Sequence, residues 1–451
     1  MARKVSFYTL GCRVNQYESQ LVAERFKALG WEIAGEEEAA DAYVVNTCSV
    51  TALSDRKSRQ YIRRMKRLNP SAVIAVMGCY PQTDPGAVEK LSEADIVIGT
   101  EGKERVPALV EELIRERELS GSCSRMMLTS GGRPSSAVYE DHASIVGSES
   151  RTRALLKIEE GCDRFCSYCV IPYARGPVRS RPLGSILDEA AGLVEAGYRE
   201  IVLTGINTAL YGTDRPDVRV SGIAEVVDAI SAIPGDFRIR IGSLEPTVVN
   251  AEYVKELFGF GKLCHHLHLS IQSGSARVLE AMNRHYSPED YLRIVRELKA
   301  FDPLYGITTD IITGFPGETE EDFQDSLDMV RMAEYLKVHC FPYSQRPYTA
   351  AAGFDGQIAP QEKKRRNARL AEVSEQVSLA FRSRMKGSLQ RVLTEERARI
   401  GGQLFMKGHA SNYCPVYIPD PGGSLEANRF MDVTAGDPAE DGVQGTPAET
   451  P

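Results

Sequence analysis

The sequence lacks an apolar run long enough to cross a membrane, and it lacks the apolar core of a secretory signal peptide. The first apolar stretch, residues 5–10, meets Gly11 and Asn15 before such a core could form. The sequence also lacks positive net charge: at −8 it offers no overall basic field for nucleic acid, so RNA contacts would depend on local patches. Ten cysteines in 451 residues are too sparse for a disulfide scaffold. These absences predict a cytoplasmic protein without membrane association, whose cysteines bind metal or clusters.

The first 100 residues alternate strand-like and helix-like segments, which predicts a doubly wound parallel sheet and an α/β fold class. The predicted strands are residues 5–10, 42–47, 73–78 and 95–99. Cys12, Cys48 and Cys79 each follow one of the first three strands. Because the carboxyl ends of parallel strands share one edge of a sheet, these cysteines are expected to converge on a cluster. Any one of them alone is more often a small core residue.

Three further cysteines, Cys162, Cys166 and Cys169, have the spacing C-x3-C-x2-C directly after a strand-like run. Three thiolates on so short a loop can hold three irons of a cubane cluster and leave the fourth iron without a protein ligand. A structural zinc site normally closes with four ligands, and no fourth ligand lies near Cys169 in the sequence. Zinc is therefore the second interpretation, and three buried cysteines the third.

The central part of the chain continues the alternation of strands and helices. Six strands are predicted at residues 154–159, 200–204, 237–241, 267–271, 307–312 and 336–341. Functional residues of such folds lie at the carboxyl ends of the strands. Asp310, charged in an apolar strand, is expected to face the interior of the fold. Alternation places His266 and His268 on one strand face and His265 on the other, so these histidines are interpreted as polar core residues and not as a metal cluster.

The cysteine spacing, with an aromatic residue, Tyr168, before the last cysteine, resembles that of the radical S-adenosylmethionine (radical SAM) enzymes. Together with the segments of residues 11–19, 46–51 and 78–79, it resembles the methylthiotransferases over nearly the whole chain. The resemblance implies two 4Fe-4S clusters, one on Cys12, Cys48 and Cys79 and one that binds SAM on Cys162, Cys166 and Cys169. It also implies a partial (β/α)6 barrel that binds SAM. The residues expected to contact SAM are Tyr168, Gly205, Asn207, Ser270, Gln272, Gly314 and Gly317.

Within that family, the signature Val14-Asn15-Gln16-Tyr17 resembles the branch that methylthiolates carbon 2 of threonylcarbamoyladenosine at position 37 of tRNA. The implied partners are a tRNA anticodon stem-loop and a small electron donor such as flavodoxin or ferredoxin. Alternative substrates are isopentenyladenosine in tRNA and a ribosomal protein. Two other interpretations are a radical SAM enzyme whose N-terminal cluster only relays electrons and an iron-sulfur RNA-binding sensor without catalysis.

The predicted domains are residues 1–118 with the auxiliary cluster, a linker at 119–147, a radical SAM core at 148–380 and a small β-barrel at 384–437. A long charged helix, residues 361–386, precedes short strands that resemble the RNA-binding TRAM barrel, on which Lys407, His409, Asn412 and Tyr413 are expected to contact unpaired bases. Residues 438–451, rich in acidic residues, proline and glycine, are predicted to be disordered. Cys123, in the linker, has no partner at ligand spacing and is interpreted as incidental.

A basic run, residues 56–67, lies between Cys48 and Cys79 at helical spacing and includes Arg63, Arg64 and Arg67. It can bind RNA phosphates in a sequence-independent manner. An equally common explanation of such a run is a helix face that is exposed to solvent and binds no RNA.

Overall fold

The computed structural model describes residues 2–120, 125–129, 131–136, 138–141, 152–215 and 222–448, and Cys123 lies outside them. The chain forms two compact units. The first comprises Met1–Val146, Glu159–Arg181 and Ser344–Gly353, and the second comprises Gly147–Ile158, Pro182–Tyr343 and Phe354–Pro451. The loop of residues 162–169 thus belongs to the same unit as the N-terminal cysteines, although it had been predicted to fold with the central core.

The N-terminal region is a six-stranded parallel sheet of order β2-β1-β3-β4-β5-β6. Its elements are β1 (Lys4–Thr9), α1 (Arg13–Ala28), β2 (Glu32–Ala34), β3 (Ala42–Thr47), α2 (Ala52–Leu68), β4 (Val73–Gly78), α3 (Cys79–Thr83), α4 (Pro85–Glu89), β5 (Ile96–Val97), α5 (Val106–Ser120) and β6 (Met126–Met127). The short edge strands β2 and β6 were not predicted, and β6 lies within the segment expected to be a linker.

Alternation along the central strands explains why helices cover both faces of this sheet. Every residue of β3 is buried. Val44 packs into one core with α1 and α5, whereas Tyr43 and Val45 pack into a second core with α2. A strand that is apolar on both faces requires cover on both, so the doubly wound arrangement follows from the sequence of β3.

The next segments are short, and they carry the second cysteine loop. They are β7 (Arg153–Lys157), β8 (Glu159–Glu160), α6 (Ile171–Arg175) and β9 (Arg179–Ser180). Strands β8 and β9 form an antiparallel pair in the first unit. Strand β7 belongs to the second unit.

The second unit contains two parallel sheets, of order β11-β10-β7 and β12-β13-β14-β15. Their elements are α7 (Leu183–Glu195), β10 (Glu200–Thr204), α8 (Gly222–Ser231), β11 (Arg238–Ile241), β12 (Ser243–Leu244), α9 (Ala251–Leu257), β13 (His266–Leu269), α10 (Ala276–Ala281), α11 (Pro288–Phe301), β14 (Gly306–Thr313), α12 (Glu320–Ala333), β15 (Lys337–Pro342) and α13 (Pro360–Arg384). Strands β11 and β12 are separated only by Gly242, where a Cβ would lie 2.7 Å from the Leu203 carbonyl oxygen. If β11 and β12 are counted as one strand interrupted at Gly242, the two sheets contain six strands.

Local sequence signals fix where the helices of this unit begin. Ser287 and Asp290 form a reciprocal capping box at the start of α11, and Thr319 and Asp322 do the same for α12. The side chains of β13, β14 and β15 that face these helices are apolar and form one large core. The opposite face of the same strands carries polar side chains.

The chain ends in a closed five-stranded β-barrel of order β16-β17-β18-β20-β19. Its strands are β16 (Leu389–Ile400), β17 (Gln403–His409), β18 (Pro415–Pro419), β19 (Phe430–Ala439) and β20 (Gly442–Pro447). The prediction of disorder from residue 438 onward is wrong for residues 438–447. Because Val443 is fully buried in the barrel core and β20 pairs with both β18 and β19, this strand closes the barrel despite its polar composition.

No helix among the described residues combines the length and the apolar character that crossing a bilayer requires.

Candidate functional site

The three N-terminal cysteines follow three neighbouring strands of the parallel sheet. Cys12 precedes α1, Cys48 follows β3, and Cys79 is the first residue of α3 after β4. Close backbone approach at this edge depends on glycine: at Gly11, with φ of +103°, a Cβ would lie 2.7 Å from the Cys48 Cβ. Gly78 has the same φ and would clash with the Thr47 carbonyl oxygen at 2.7 Å. The sheet edge thus brings together the cysteines that the sequence predicted to converge.

The polar residues of the same motifs tie these three loops to one another. Asn15 Nδ2 donates hydrogen bonds to the carbonyl oxygens of Leu10, at 2.7 Å, and Thr47, at 2.9 Å. Asn46 Nδ2 donates to the Asn15 carbonyl oxygen at 2.9 Å. Thr47 Oγ1 donates to the Met77 carbonyl oxygen at 2.7 Å. The polar residues of these motifs therefore have a structural role, since each amide or hydroxyl connects two of the loops that carry cysteine.

The second cysteine loop is folded tightly against α6 and β9. Gly161 has φ of +84°, and a Cβ there would lie 1.8 Å from the Pro177 carbonyl oxygen. The Cys162 N–H donates to the Gly176 carbonyl oxygen at 3.0 Å, and the Cys169 N–H to the Cys166 carbonyl oxygen at 2.9 Å. All three cysteines and Tyr168 are half-buried. The three thiols are thus held on one short turn and remain accessible.

Burial holds thiols of both cysteine sets in the protonated form when no cation is bound. Burial and the neighbouring Cys79 raise the pKa of Cys48 to about 12, and burial also raises the pKa of Cys162. Thiols with such pKa values stay protonated at neutral pH unless a cation stabilises the thiolate.

A buried ionic network that sequence reasoning missed connects the two cysteine loops. Arg175, at the end of α6, is fully buried, and its Nη1 donates to Glu18 Oε1 at 2.7 Å and to Glu160 Oε1 at 2.9 Å. Its Nη2 donates to Asn15 Oδ1 at 2.5 Å. Lys103 Nζ forms a second ion pair with Glu18. Two cations and two carboxylates therefore share a buried site. This site joins Arg175, six positions after Cys169, to Asn15, three positions after Cys12.

Arg175 also acts on the N-terminal cysteines themselves. Burial lowers its pKa, but the charges of Glu160 and Glu18 outweigh this effect and hold the pKa well above the usual value. The guanidinium is therefore a permanent positive charge, and it opposes the rise in the pKa of Cys48. A fixed buried cation of this kind stabilises thiolates and an anionic cluster.

A second buried ion pair links residues 344–353 to the sheet edge that carries Cys12, Cys48 and Cys79. Arg346 Nη2 donates to Asp55 Oδ2 at 2.6 Å, and Ser49 Oγ donates to Asp55 Oδ1 at 3.2 Å. Thr83 Oγ1 in turn donates to Ser49 Oγ at 3.1 Å. The residues after Cys48 and Cys79 are thereby bonded to a segment that lies 291 positions from Asp55 in the chain. A separation of that size leaves no local signal in the sequence.

In the second unit, the residues predicted to contact SAM follow neighbouring strands. Gly205 and Asn207 follow β10, and Asn207 Nδ2 donates to the buried Glu245 Oε2 at 3.2 Å. Ser270 and Gln272 follow β13, where the Gln272 N–H donates to the Asp310 carbonyl oxygen at 2.9 Å. Glu245, which also pairs with Arg284 at 2.8 Å, was not singled out from the sequence.

The glycine turn after β14 has a structural cause of its own. Gly314 has φ of +70°, and a Cβ there would lie 2.5 Å from the Lys363 Cγ on α13. The Gly314 N–H donates to Glu318 Oε1 at 2.9 Å, and Arg366 holds that same oxygen at 2.6 Å. Gly317, with φ of +76°, donates its N–H to the Gly356 carbonyl oxygen at 2.9 Å. Packing against α13 thus requires Gly314 whether or not a cofactor approaches it, whereas at Gly317 no atom lies within 4 Å of the Cβ position and only the positive φ favours glycine.

One residue of the expected base-binding surface on the C-terminal barrel is buried, so that prediction is wrong for Asn412, whereas Lys407, His409 and Tyr413 are half-buried. Asn412 is buried and donates to the Leu304 carbonyl oxygen at 3.1 Å. The Tyr413 ring stacks on His409, with ring centroids 5.0 Å apart, and lies beneath the Arg240 guanidinium at 4.7 Å. Asn412 and Tyr413 therefore contact the parallel-strand part of the second unit, and Asn412 is unavailable for contact with bases.

The basic run of residues 56–67 lies on α2, as predicted. Its apolar side packs Tyr61, Ile62 and Met65 into the core, and its other side exposes arginines. Arg63 lies 3.7 Å from Glu93, and Arg64 lies 2.8 Å from Glu37. Surface pairs of this kind are weak, so they leave these cations able to exchange a carboxylate for a phosphate.

Comparison with known proteins matches two families. Residues 4–99 match the family described as "Uncharacterized protein family UPF0004", and residues 156–330 match the radical SAM superfamily. The chain is 39% identical to the "Threonylcarbamoyladenosine tRNA methylthiotransferase MtaB" of Bacillus subtilis, over 91% of this chain and 89% of the relative. It is 37% identical to the protein of the same name in Thermotoga maritima, over 98% and 96% of the two chains.

Two other similarities are more distant. The "tRNA-2-methylthio-N(6)-dimethylallyladenosine synthase" of Carboxydothermus hydrogenoformans is 35% identical over 88% of this chain and 90% of that protein. Among solved structures, the radical SAM methyltransferase TsrM from Kitasatospora setae has a TM-score of 0.55 at 17% identity, over 78% of this chain and 74% of TsrM. At that identity the likeness concerns the fold alone.

Proposed function

Because the chain belongs to the methylthiotransferases of the radical SAM superfamily, in the MtaB branch, we propose that it methylthiolates carbon 2 of threonylcarbamoyladenosine at position 37 of tRNA. The observation that carries the proposal is the presence of two cysteine trios in one compact unit, linked by the buried network of Arg175. Two roles for SAM, methyl donor and radical source, require two such sites. A chain with one trio would support only one of them.

The proposed cofactors are two 4Fe-4S clusters and SAM, and the donors present fit them. When bound, the cluster of Cys162, Cys166 and Cys169 would supply the electron that cleaves SAM, and the cluster of Cys12, Cys48 and Cys79 would hold the sulfur that is methylated and transferred. The chain holds the donor sulfurs in place through Gly11, Gly78 and Gly161.

We assign SAM binding to groups at the carboxyl ends of the strands of the second unit, together with Tyr168 of the cysteine loop. The glycines Gly205, Gly314 and Gly317 permit close approach of the backbone, while Asn207, Ser270 and Gln272 offer hydrogen bonds. The buried carboxylate of Glu245, next to Asn207, suits a positively charged group of the ligand. These assignments rest on position and chemistry.

We further propose that the enzyme works in the cytoplasm, with a tRNA anticodon stem-loop as substrate and flavodoxin or ferredoxin as electron donor. The second candidate substrate is isopentenyladenosine in tRNA, which is favoured by the 35% identity to the dimethylallyladenosine synthase. The greater identity to the two proteins of the MtaB branch favours threonylcarbamoyladenosine.

The test offers three anticodon stem-loops to one anaerobically reconstituted preparation, bearing threonylcarbamoyl, isopentenyl or no modification at position 37. Methylthio nucleosides are quantified by mass spectrometry after digestion. A site with hydrogen-bonding groups for the threonyl carboxylate should prefer the first stem-loop by roughly a hundredfold or more, because those groups stay unpaired with the others. Preference for the isopentenyl stem-loop would overturn the substrate assignment, and methylthiolation of none of them would overturn the function.

A further inference from the structure

Four polar side chains outside both cysteine sites lie on one face of three neighbouring strands. His268 on β13 pairs in register with Thr308 on β14, and Asp310 on β14 pairs with His339 on β15. Because side chains alternate along a strand, these residues share the face opposite the helices. The intervening residues pack against the hydrophobic core, as expected for the other face. They are Leu267, Leu269, Thr309, Ile311, Val338 and Cys340.

Three of the donor atoms form a nearly equilateral triangle. His268 Nε2 lies 3.2 Å from Asp310 Oδ2, and Ser270 Oγ lies 3.1 Å from both of these atoms. His339 adds a fourth donor, since one ligand atom each of His268, Asp310 and His339 lies within 4.8 Å of the others. Ligand atoms at about 2.1 Å from a single ion are separated by about 3 Å, so the triangle has the size of one face of a coordination polyhedron.

A surrounding shell orients the imidazole of His268. Thr308 Oγ1 lies 2.9 Å from His268 Nδ1 and 3.1 Å from His266 Nε2. With Nδ1 engaged by this hydroxyl, Nε2 is the nitrogen directed at Asp310 and Ser270. Metal-binding histidines are typically held in this manner, by a hydrogen bond at the ring nitrogen that does not bind the ion.

The same geometry argues against a nucleophilic triad of Ser270, His268 and Asp310. In such a triad the serine and the carboxylate contact different nitrogens of the histidine, so that a proton can pass through the ring. Here both oxygens converge on the same nitrogen. Convergence of several donors on one point is the arrangement that a bound ion requires.

We propose that His268, Asp310 and His339 form a binding site for one divalent transition-metal ion, separate from the iron-sulfur clusters and next to the Ser270 hydroxyl that is assigned to SAM. Two imidazoles and one carboxylate suit zinc, iron(II) or manganese(II) better than magnesium or calcium. His339 and Thr308 also line a cavity of about 570 Å³.

The test counts metals in the cluster-loaded full-length protein. The protein is incubated with zinc chloride in slight excess and gel-filtered, and zinc and iron are then measured separately by plasma mass spectrometry. The wild type should retain about one zinc per chain beyond its iron. His339→Gln and Asp310→Asn should each lose most of this zinc without losing iron, whereas His285→Gln, at an exposed histidine outside the cluster, should retain it.

Zinc K-edge absorption of the wild type should show nitrogen and oxygen neighbours at about 2.0 to 2.1 Å. Absence of zinc from the wild type, equal zinc in His339→Gln and wild type, or sulfur neighbours in the absorption spectrum would each overturn the proposal. Unchanged iron content and circular dichroism confirm that a variant is folded. If Asp310→Asn fails this check, His339→Gln on β15 still decides the question.

Discussion

Gly161 shows how one backbone position fixes the second cysteine loop. Its φ of +84° is accessible to glycine without strain, and the space where a Cβ would project is filled by the Pro177 carbonyl oxygen, 1.8 Å away. Gly197 has a similar φ of +89° but no atom within 4 Å of that position. Substitution of Gly197 therefore measures the cost of the backbone conformation alone. Substitution of Gly161 adds the cost of a steric clash.

We expect Gly161→Ala to lose about half of the bound iron and all SAM cleavage, because the loop must move to relieve the clash. Gly197→Ala should keep both, at a cost of about 1 to 2 kcal/mol from the left-handed conformation. Iron assays and detection of 5′-deoxyadenosine after reduction with dithionite measure these outcomes. Full iron and normal cleavage in Gly161→Ala would show that the loop tolerates displacement.

Arg175 is the second residue whose removal should have a large effect. Arg175→Met removes the buried cation that Glu18 and Glu160 share, which we expect to cost about 3 to 5 kcal/mol. Arg63→Met, at an exposed arginine 3.7 Å from Glu93, should cost no more than about 1 kcal/mol. Thermal unfolding of both variants followed by circular dichroism compares the two, and equal midpoints would contradict a role for the buried network.

At the scale of elements, α2 combines a buried apolar side with an exposed basic side. Its exposed arginines include Arg63, Arg64 and Arg67. Glu93 and Glu37 lie near Arg63 and Arg64 and reduce the positive potential around them. More than half of each of these two arginine side chains is still exposed. Contact with RNA phosphates remains compatible with this geometry, and its strength should depend on salt.

Replacing Arg63, Arg64 and Arg67 together by glutamine should weaken stem-loop binding and make its salt dependence shallower. The slope of log affinity against log salt should fall by about one to three units, one for each lost phosphate contact. The control, Arg293→Gln with Arg296→Gln, removes two exposed and ion-paired arginines from α11 and should leave the slope unchanged. An unchanged slope in the α2 variant would identify its basic side as a solvated surface.

For the whole molecule, the main expectation is that the two cysteine trios bind clusters independently. The reconstituted wild type should contain about eight irons, and replacing Cys162, Cys166 and Cys169 by alanine should leave about four. Replacing Cys12, Cys48 and Cys79 should also leave about four, with SAM cleavage retained but no methylthio product. Cys340→Ala, at a cysteine with only weak contacts to Val338 and Ser374, serves as the control.

Iron retention in the Cys162, Cys166 and Cys169 variant would contradict the assignment of that loop. Loss of SAM cleavage in the folded N-terminal variant would instead favour the electron-relay interpretation, in which the N-terminal cluster only passes electrons.

The sequence by itself determined the elements that depend on local chemistry. Strands 42–47, 73–78 and 200–204 were predicted with their observed bounds, because continuous apolar runs between turn residues define buried parallel strands. Spacing singled out Cys162, Cys166 and Cys169, since ligand spacing on a loop is a local property, whereas Cys12, Cys48 and Cys79 were singled out by their common position after predicted parallel strands. The edge strands β2 and β6 were missed, because two or three residues carry no period, and β20 was missed because its polar composition concealed its pairing.

Only the tertiary structure decided which distant residues meet. Arg175 reaches Glu18 across 157 positions, and His339 joins His268 and Asp310 from a third strand. Asn412 was expected on an RNA-binding surface, but it is buried and donates a hydrogen bond to the Leu304 carbonyl oxygen, 108 positions away in the chain. Sequence patterns report the period and chemistry of a segment, whereas burial and charge pairing arise from long-range contacts that leave no local signal.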